Sequence, residues 1–102
     1  MAEYQFTNKA VEDLTAIWEY TFSKWSEEQA NKYYNLIIES CQDIAENPET
    51  GKNYTGVNSR LFGLKAKKHI IFYRKLIDKP IEIIRILHER MDLKSRLNKK
   101  RI

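Results

Sequence analysis

The sequence predicts an α+β domain: a helical hairpin packed on one face of a mostly antiparallel, four-stranded sheet, in the order β-α-α-β-β-β. Three observations lead there. Two stretches in the first half carry apolar residues at helical spacing, with almost no gap between them. Two β-branched runs in the second half flank Asp78-Lys79-Pro80, which is turn chemistry, so they read as a hairpin. Those runs hold consecutive apolar residues, Ile70 to Tyr73 and then Ile83-Ile84 and Ile86-Leu87. Strands of that kind are expected to be covered on both faces, in the middle of a sheet.

Each element has its own signal. Tyr4 and Phe6 alternate with polar neighbours and predict a short first strand. Thr7 and Asn8 are good N-caps, and Leu14, Ile17, Trp18 and Thr21 at i, i+3, i+4 and i+7 predict the first helix. Ser26 and Gln29 form a capping box for the second helix, with Glu27 and Glu28 suited to its positive end and Trp25 and Ala30 placed for a hydrophobic staple. Ala30, Tyr33, Ile37, Cys41 and Ile44 run along that helix as a stripe until Asn47-Pro48 stops it. Only Lys24 and Trp25 separate the two helices, which forces them antiparallel. Glu49 to Ser59 reads as loop, and Arg60 to Lys65 as a strand through Leu61, Phe62 and Leu64. Leu93 to Ile102 reads as a short basic tail with Leu93 and Leu97 at helical spacing. The first strand has to pair with one of the later three, and the residues alone do not choose which.

At 102 residues with 42% hydrophobic content, residues 1–102 are expected to form one globular domain with a single modest core. No apolar run approaches the ~20 residues that span a bilayer, and the N-terminus lacks the layout of a signal peptide. A cytoplasmic protein without membrane association is expected. Cys41 is the only cysteine, which excludes an intrachain disulfide and a thiolate metal site; it reads as core packing. No cofactor motif is present, and no cofactor is expected. The net charge of +4 conceals a division: residues 1–58 carry 4 Lys/Arg against 10 Asp/Glu, and residues 59–102 carry 14 against 4. Such polarity points to an anionic partner for the basic half, either nucleic acid or an acidic protein segment.

The wording HIIFYR, followed by IEIIRILHERMD, resembles the ParE branch of the RelE/ParE toxin family. The opening YQFTNKAVEDLTAIWEYT, the segment WSEEQANKYYNLI and the helix-ending ENPETGK resemble the same family, in the same order across nearly the whole chain. The resemblance implies the first strand lying beside the last. It also implies a toxin of a type II toxin–antitoxin pair, neutralised by a ParD-like antitoxin. For ParE members it implies inhibition of DNA gyrase, and for RelE members ribosome-dependent mRNA cleavage.

The fold is common to both activities, so the residues have to decide. Metal-independent RNA cleavage needs a base, an acid and cations around the phosphate. Arg60, Lys65, Arg85, His88 and Arg90 are the candidates for such a set. No Tyr, Phe or Trp follows Tyr73, so the terminal base-stacking aromatic associated with the nuclease members is missing. A toxin that binds without chemistry, with no catalytic residue, is the expectation, and an mRNA endonuclease is the alternative. Candidate contacts to target or antitoxin are Trp25, His69, Tyr73, Arg85, His88, Arg90, Lys94 and Arg96. Direct nucleic-acid binding stays open, since the tail cations lack interleaved aromatics.

Several of these residues have a structural reading beside the functional one. His69 and Tyr73 share a strand face and are either an acid/base couple or half-buried polar groups satisfied by nearby acceptors; the apolar run around Tyr73 favours the second. Arg85, between Ile84 and Ile86, is either paired with a helix acid such as Asp13 or Glu19 or faces an open groove. His88 and Asp92 read as a sheet-end hydrogen-bond network or as part of a site. Trp18, Trp25, Tyr33 and Tyr34 read mostly as core, with Trp25 exposed at the hairpin tip.

Overall fold

Thr7 joins the two halves of the fold. A computed structural model describes residues 3–54, 61–76, 78 and 80–90. In it, strand β1 (Tyr4–Phe6) ends at Thr7, whose N–H donates to the Ile83 carbonyl at 3.0 Å. Its hydroxyl donates to the Ile84 carbonyl at 2.8 Å and accepts from the Ala10 N–H at 3.1 Å, capping helix α1 (Asn8–Lys24). Ser26 caps α2 (Glu27–Glu46) in the same way, accepting from the Gln29 N–H, and Asn47 terminates it before a single 3-10 turn at Pro48–Thr50. Trp25 between the helices is 71% exposed, so it does not close over the start of α2 as a staple.

Among the described residues the sheet has five strands where four were expected. Beyond the 3-10 turn, β2 (Lys52–Asn53) pairs antiparallel with β3 (Phe62–Ala66), followed by β4 (His69–Arg74) and β5 (Ile81–His88). The order is β1-β5-β4-β3-β2, with β1 parallel to β5 and every other pair antiparallel. The first strand thus lies beside the last, and the two strands of consecutive apolar residues are central. β2 escaped the sequence reading because two polar residues after a glycine carry no alternation. The tail from residue 91 and residues 55–60, which include Arg60 and the end of the preceding loop, lie outside the described residues.

A bulge decides which way β5 faces. Phe72 pairs with Arg85 and Tyr73 with Ile83, leaving Ile84 as an extra residue. Strict alternation from Ile81 and Ile83 would send Arg85 into the helix-facing core. The extra residue shifts the register, so Ile86 takes that place. The main core lies between helices and sheet and includes Leu14, Ile37, Cys41, Ile71, Ile83 and Ile86. A smaller cluster on the opposite sheet face gathers Leu61, Ile70, Phe72 and Leu87, with Tyr54 and Ile84 against it. The sheet is therefore apolar on both faces, as the consecutive apolar residues required. Gly63 makes room for the second cluster: a Cβ there would stand 2.7 Å from Cε1 of Tyr54, whose ring meets Phe72 edge-on at 5.1 Å.

Candidate functional site

Helix α1 starts part-way along the strand beside it and runs past its end. From its anchor at Ile84 its 17 residues run about 25 Å. The remaining residues of β5 cover only about 13 Å. The end of the hairpin consequently overhangs the end of the sheet, and a groove of about 960 Å³ opens beneath it. Tyr20, Trp25 and Tyr33 contribute its aromatic walls, and Lys67, Lys68 and Arg90 its cations. His69 and His88 line it as well.

Tyr33 holds the floor together. Its phenol oxygen lies 2.8 Å from Nδ1 of His69, 3.2 Å from the Ala66 carbonyl and 3.2 Å from the Lys68 N–H. A phenol has one proton and two lone pairs. Every group is satisfied at once when the phenol donates to Ala66 and accepts from Lys68 and from a protonated Nδ1 of His69. The β3–β4 turn needs this clamp, because Lys67 adopts a left-handed φ of 58°. For a residue with a Cβ that conformation costs roughly 1–2 kcal/mol. Burial, and then the neighbouring His88, push the His69 pKa down to about 4, so its ring is neutral at physiological pH. The His69 and His88 rings face each other across paired strands, edge to face at 5.2 Å. Nδ1 of His88 accepts the Arg90 N–H at 3.1 Å, which leaves Nε2 as its protonated nitrogen.

Of the described residues proposed for RNA cleavage, His88 and Arg90 come together and Lys65 and Arg85 lie apart from them. Lys65 pairs with Glu89 at 2.8 Å, an interaction that holds the Glu89 carboxyl below the usual carboxylate range. It extends from the sheet face opposite the helices, alternating with the core residue Leu64. Arg85 is engaged by both oxygens of Asp13, at 2.8 and 3.0 Å, which settles its pairing in favour of a helix acid. His88 and Arg90 reach the groove, and Arg60 lies outside the described residues.

Of the residues expected to contact a partner, Trp25, His69, His88 and Arg90 line the groove. Tyr73 does not. Its phenol donates to the Pro48 carbonyl at 2.7 Å and accepts the Gly51 N–H at 3.0 Å, which fastens the segment after α2 to the other end of the sheet. His69 and Tyr73 therefore form no couple. Arg85 does not line the groove, and Lys94 and Arg96 fall outside the described residues. Tyr20, Tyr33, Lys67 and Lys68 were absent from that expectation. Tyr33 had been counted as core, since its place on the apolar stripe hides the reach of its hydroxyl. Tyr34, also read as core, is 40% exposed, and Trp18 is only half-buried.

Among the described residues no group of three or more metal-ligating side chains occurs, and no helix is long and apolar enough to cross a membrane. The family model described as "ParE toxin of type II toxin-antitoxin system, parDE" matches residues 4–93. This chain belongs to the ParE toxin family. It is 31% identical over 97 residues to Toxin ParE1 of Caulobacter vibrioides, covering 95% of this chain and 99% of the relative. It is 29% identical over 96 residues to Toxin ParE1 of Mycobacterium tuberculosis, covering 94% and 98%. A solved structure titled "Chromosomal ParDE TA system from P. aeruginosa" shares the ParE fold of this chain. Its TM-score is 0.74 at 23% identity, over 86% of this chain and 96% of that one.

Proposed function

We propose that this ParE toxin acts on DNA gyrase by binding, without chemistry of its own, and that a ParD-like antitoxin neutralises it by laying an acidic, amphipathic segment into the groove. The observation that carries the reading is the division of labour among the cations. Lys65 and Arg85, which a nuclease would need around a scissile phosphate, are each committed to a carboxylate within 3 Å. Lys67, Lys68 and Arg90 instead border an aromatic groove. An amphipathic helix or strand that folds on contact matches such a groove through burial and through charge. Family membership supports the toxin–antitoxin part of the reading, and gyrase as target follows the ParE rather than the RelE branch.

Induction of the toxin in cells tests this. A gyrase poison yields an SOS response and double-strand breaks, and purified toxin inhibits supercoiling. His88→Gln keeps a hydrogen-bonding side chain and should leave growth arrest intact, whereas a nuclease losing an acid or base slows ~10²–10⁴-fold. Cleaved mRNA with gyrase untouched would sink the proposal and install the ribosome-dependent nuclease in its place. The toxin–antitoxin complex should also survive ~1 M salt, where the Debye length falls to ~3 Å, because burial holds it as well as charge.

A further inference from the structure

Among the described residues, five large apolar side chains are exposed: Val11, Tyr20, Phe22, Trp25 and Tyr34, by 48, 62, 48, 71 and 40%. Tyr20 and Trp25 line the groove, and an antitoxin seated there accounts for them. Val11, Phe22 and Tyr34 lie elsewhere and are left unexplained. Val11, Trp18 and Phe22 fall at i, i+7 and i+11 of α1, a single stripe. The Trp18 and Phe22 rings are stacked, 5.2 Å apart and 8° from parallel. Nε1 of Trp18 donates to Oδ1 of Asn31 at 3.0 Å, which pins this flat double ring against α2. Tyr34 follows one turn after Asn31 on the same side of that helix. Neither Trp18 nor Phe22 contributes to either core cluster. The stack is aromatic, with Phe22 half-exposed and Trp18 partly so, and it stands outside both core clusters, which is the composition of an interface centre.

Charge identifies the kind of partner. Residues 8–46, the helical hairpin, carry three lysines against eight carboxylates. Glu12 and Glu19 follow Val11 and Trp18 by one residue each and so border the stripe. A phosphate backbone is repelled by such a surface, whereas a protein contact rimmed with lysine or arginine is drawn to it. We propose that this outer face of the hairpin is the surface by which the toxin engages its target: a protein contact, apolar at its centre and basic at its rim, distinct from the cationic groove. The inference rests on the reading that the toxin acts by binding a protein. It gives the molecule two faces of opposite charge, one for each partner.

The test uses the full chain expressed with its antitoxin, and two variants. Val11→Ser with Phe22→Ser removes the apolar centre at half-exposed positions, and Glu12→Lys with Glu19→Lys reverses the rim. Each should melt close to the wild type and bind antitoxin within about twofold, yet lose growth arrest and at least ~10-fold of target affinity. Undiminished growth arrest by both variants overturns the proposal. So does a parallel loss of antitoxin affinity, which would assign the face to the antitoxin. Gyrase pull-down and supercoiling run alongside separate this proposal from the choice of target. If wild-type toxin arrests growth without touching gyrase and the variants do not arrest it, the surface stands and gyrase falls. If variants and wild type inhibit gyrase equally, the surface falls and gyrase stands.

Discussion

One carboxylate oxygen of Asp13 receives both the guanidinium of Arg85, at 2.8 Å, and the backbone N–H of Ile86, at 2.9 Å. Beyond Ile83, β5 has no further register with β1. Thr7 and Asp13 supply side-chain partners there, the hydroxyl for the Ile84 carbonyl and the carboxylate for the Ile86 N–H. A strand edge is thereby closed by a helix rather than by another strand.

Removing that carboxylate should be expensive. The Arg85 and Asp13 side chains are 17% and 14% exposed, so Asp13→Ala leaves a mostly buried guanidinium and a backbone donor unpaired. A loss of about 2–4 kcal/mol is expected, somewhat under the range for fully buried pairs. Asp13→Asn keeps an oxygen for the Ile86 N–H and should lose less. Urea denaturation of both variants checks the order; equal midpoints for Asp13→Ala and wild type would mean that the pair contributes nothing.

Acid should weaken the fold through His69. Its pKa is about 4 in the folded chain against about 6.5 unfolded. Between those values the unfolded state binds more protons, so stability falls as pH drops from about 6.5 toward 4 and levels off below. The ring is partly solvated, so the contribution is about 1–2 kcal/mol after allowance for screening. Carboxylates titrate near the lower end of that window, so the comparison is with His69→Gln, whose melting temperature should fall less between pH 7 and pH 4.5. Superimposable pH profiles would remove His69 from the account.

Tyr73→Phe separates structure from chemistry. The variant loses one hydrogen bond to Pro48 and one from Gly51, worth about 1–3 kcal/mol together. Growth arrest at permissive temperature should be unchanged, because the phenol fastens a loop and lies apart from the groove. Abolished killing by a stably folded Tyr73→Phe protein would contradict that placement.

Gly63→Ala should destabilise by about 1–3 kcal/mol, since its Cβ meets the Tyr54 ring above a packed strand. Combining it with Tyr54→Ala, which vacates the ring, should give less than the sum of the two single losses in thermal melts. Additive losses would show that the crowding lies elsewhere.

The consecutive apolar residues of β4 and β5 made the central hairpin legible, and Ser26 and Asn47-Pro48 set the limits of α2 correctly. Hydrophobic pattern also placed Ile86 in the core, where it is 2% exposed. It did not reveal the bulge at Ile84, because an extra residue within a run of isoleucines leaves the pattern unchanged. The fate of Arg85 turned on that residue. The groove was harder still. It comes from the offset between α1 and β5, set by the anchor at Ile84, and its floor depends on a turn at Lys67 that lacks the glycine or asparagine usually marking a left-handed residue. Side chains such as Tyr33 divide between core and site, and periodicity records only the first role.

The bond from Thr7 to Ile84 spans 77 residues of sequence. Contacts that distant form late, after the intervening loop has been closed. On a ribosome adding roughly 5–20 residues per second, β1 waits about 4–15 s for β5 to be made. Through that interval the start of α1 lacks the tie that aligns it with the sheet, and the groove lacks the His88 and Arg90 that line it. A chain interrupted before Ile81 never acquires either. The groove is thus shaped only after β5 has been made, whereas both helices of the hairpin are made well before it.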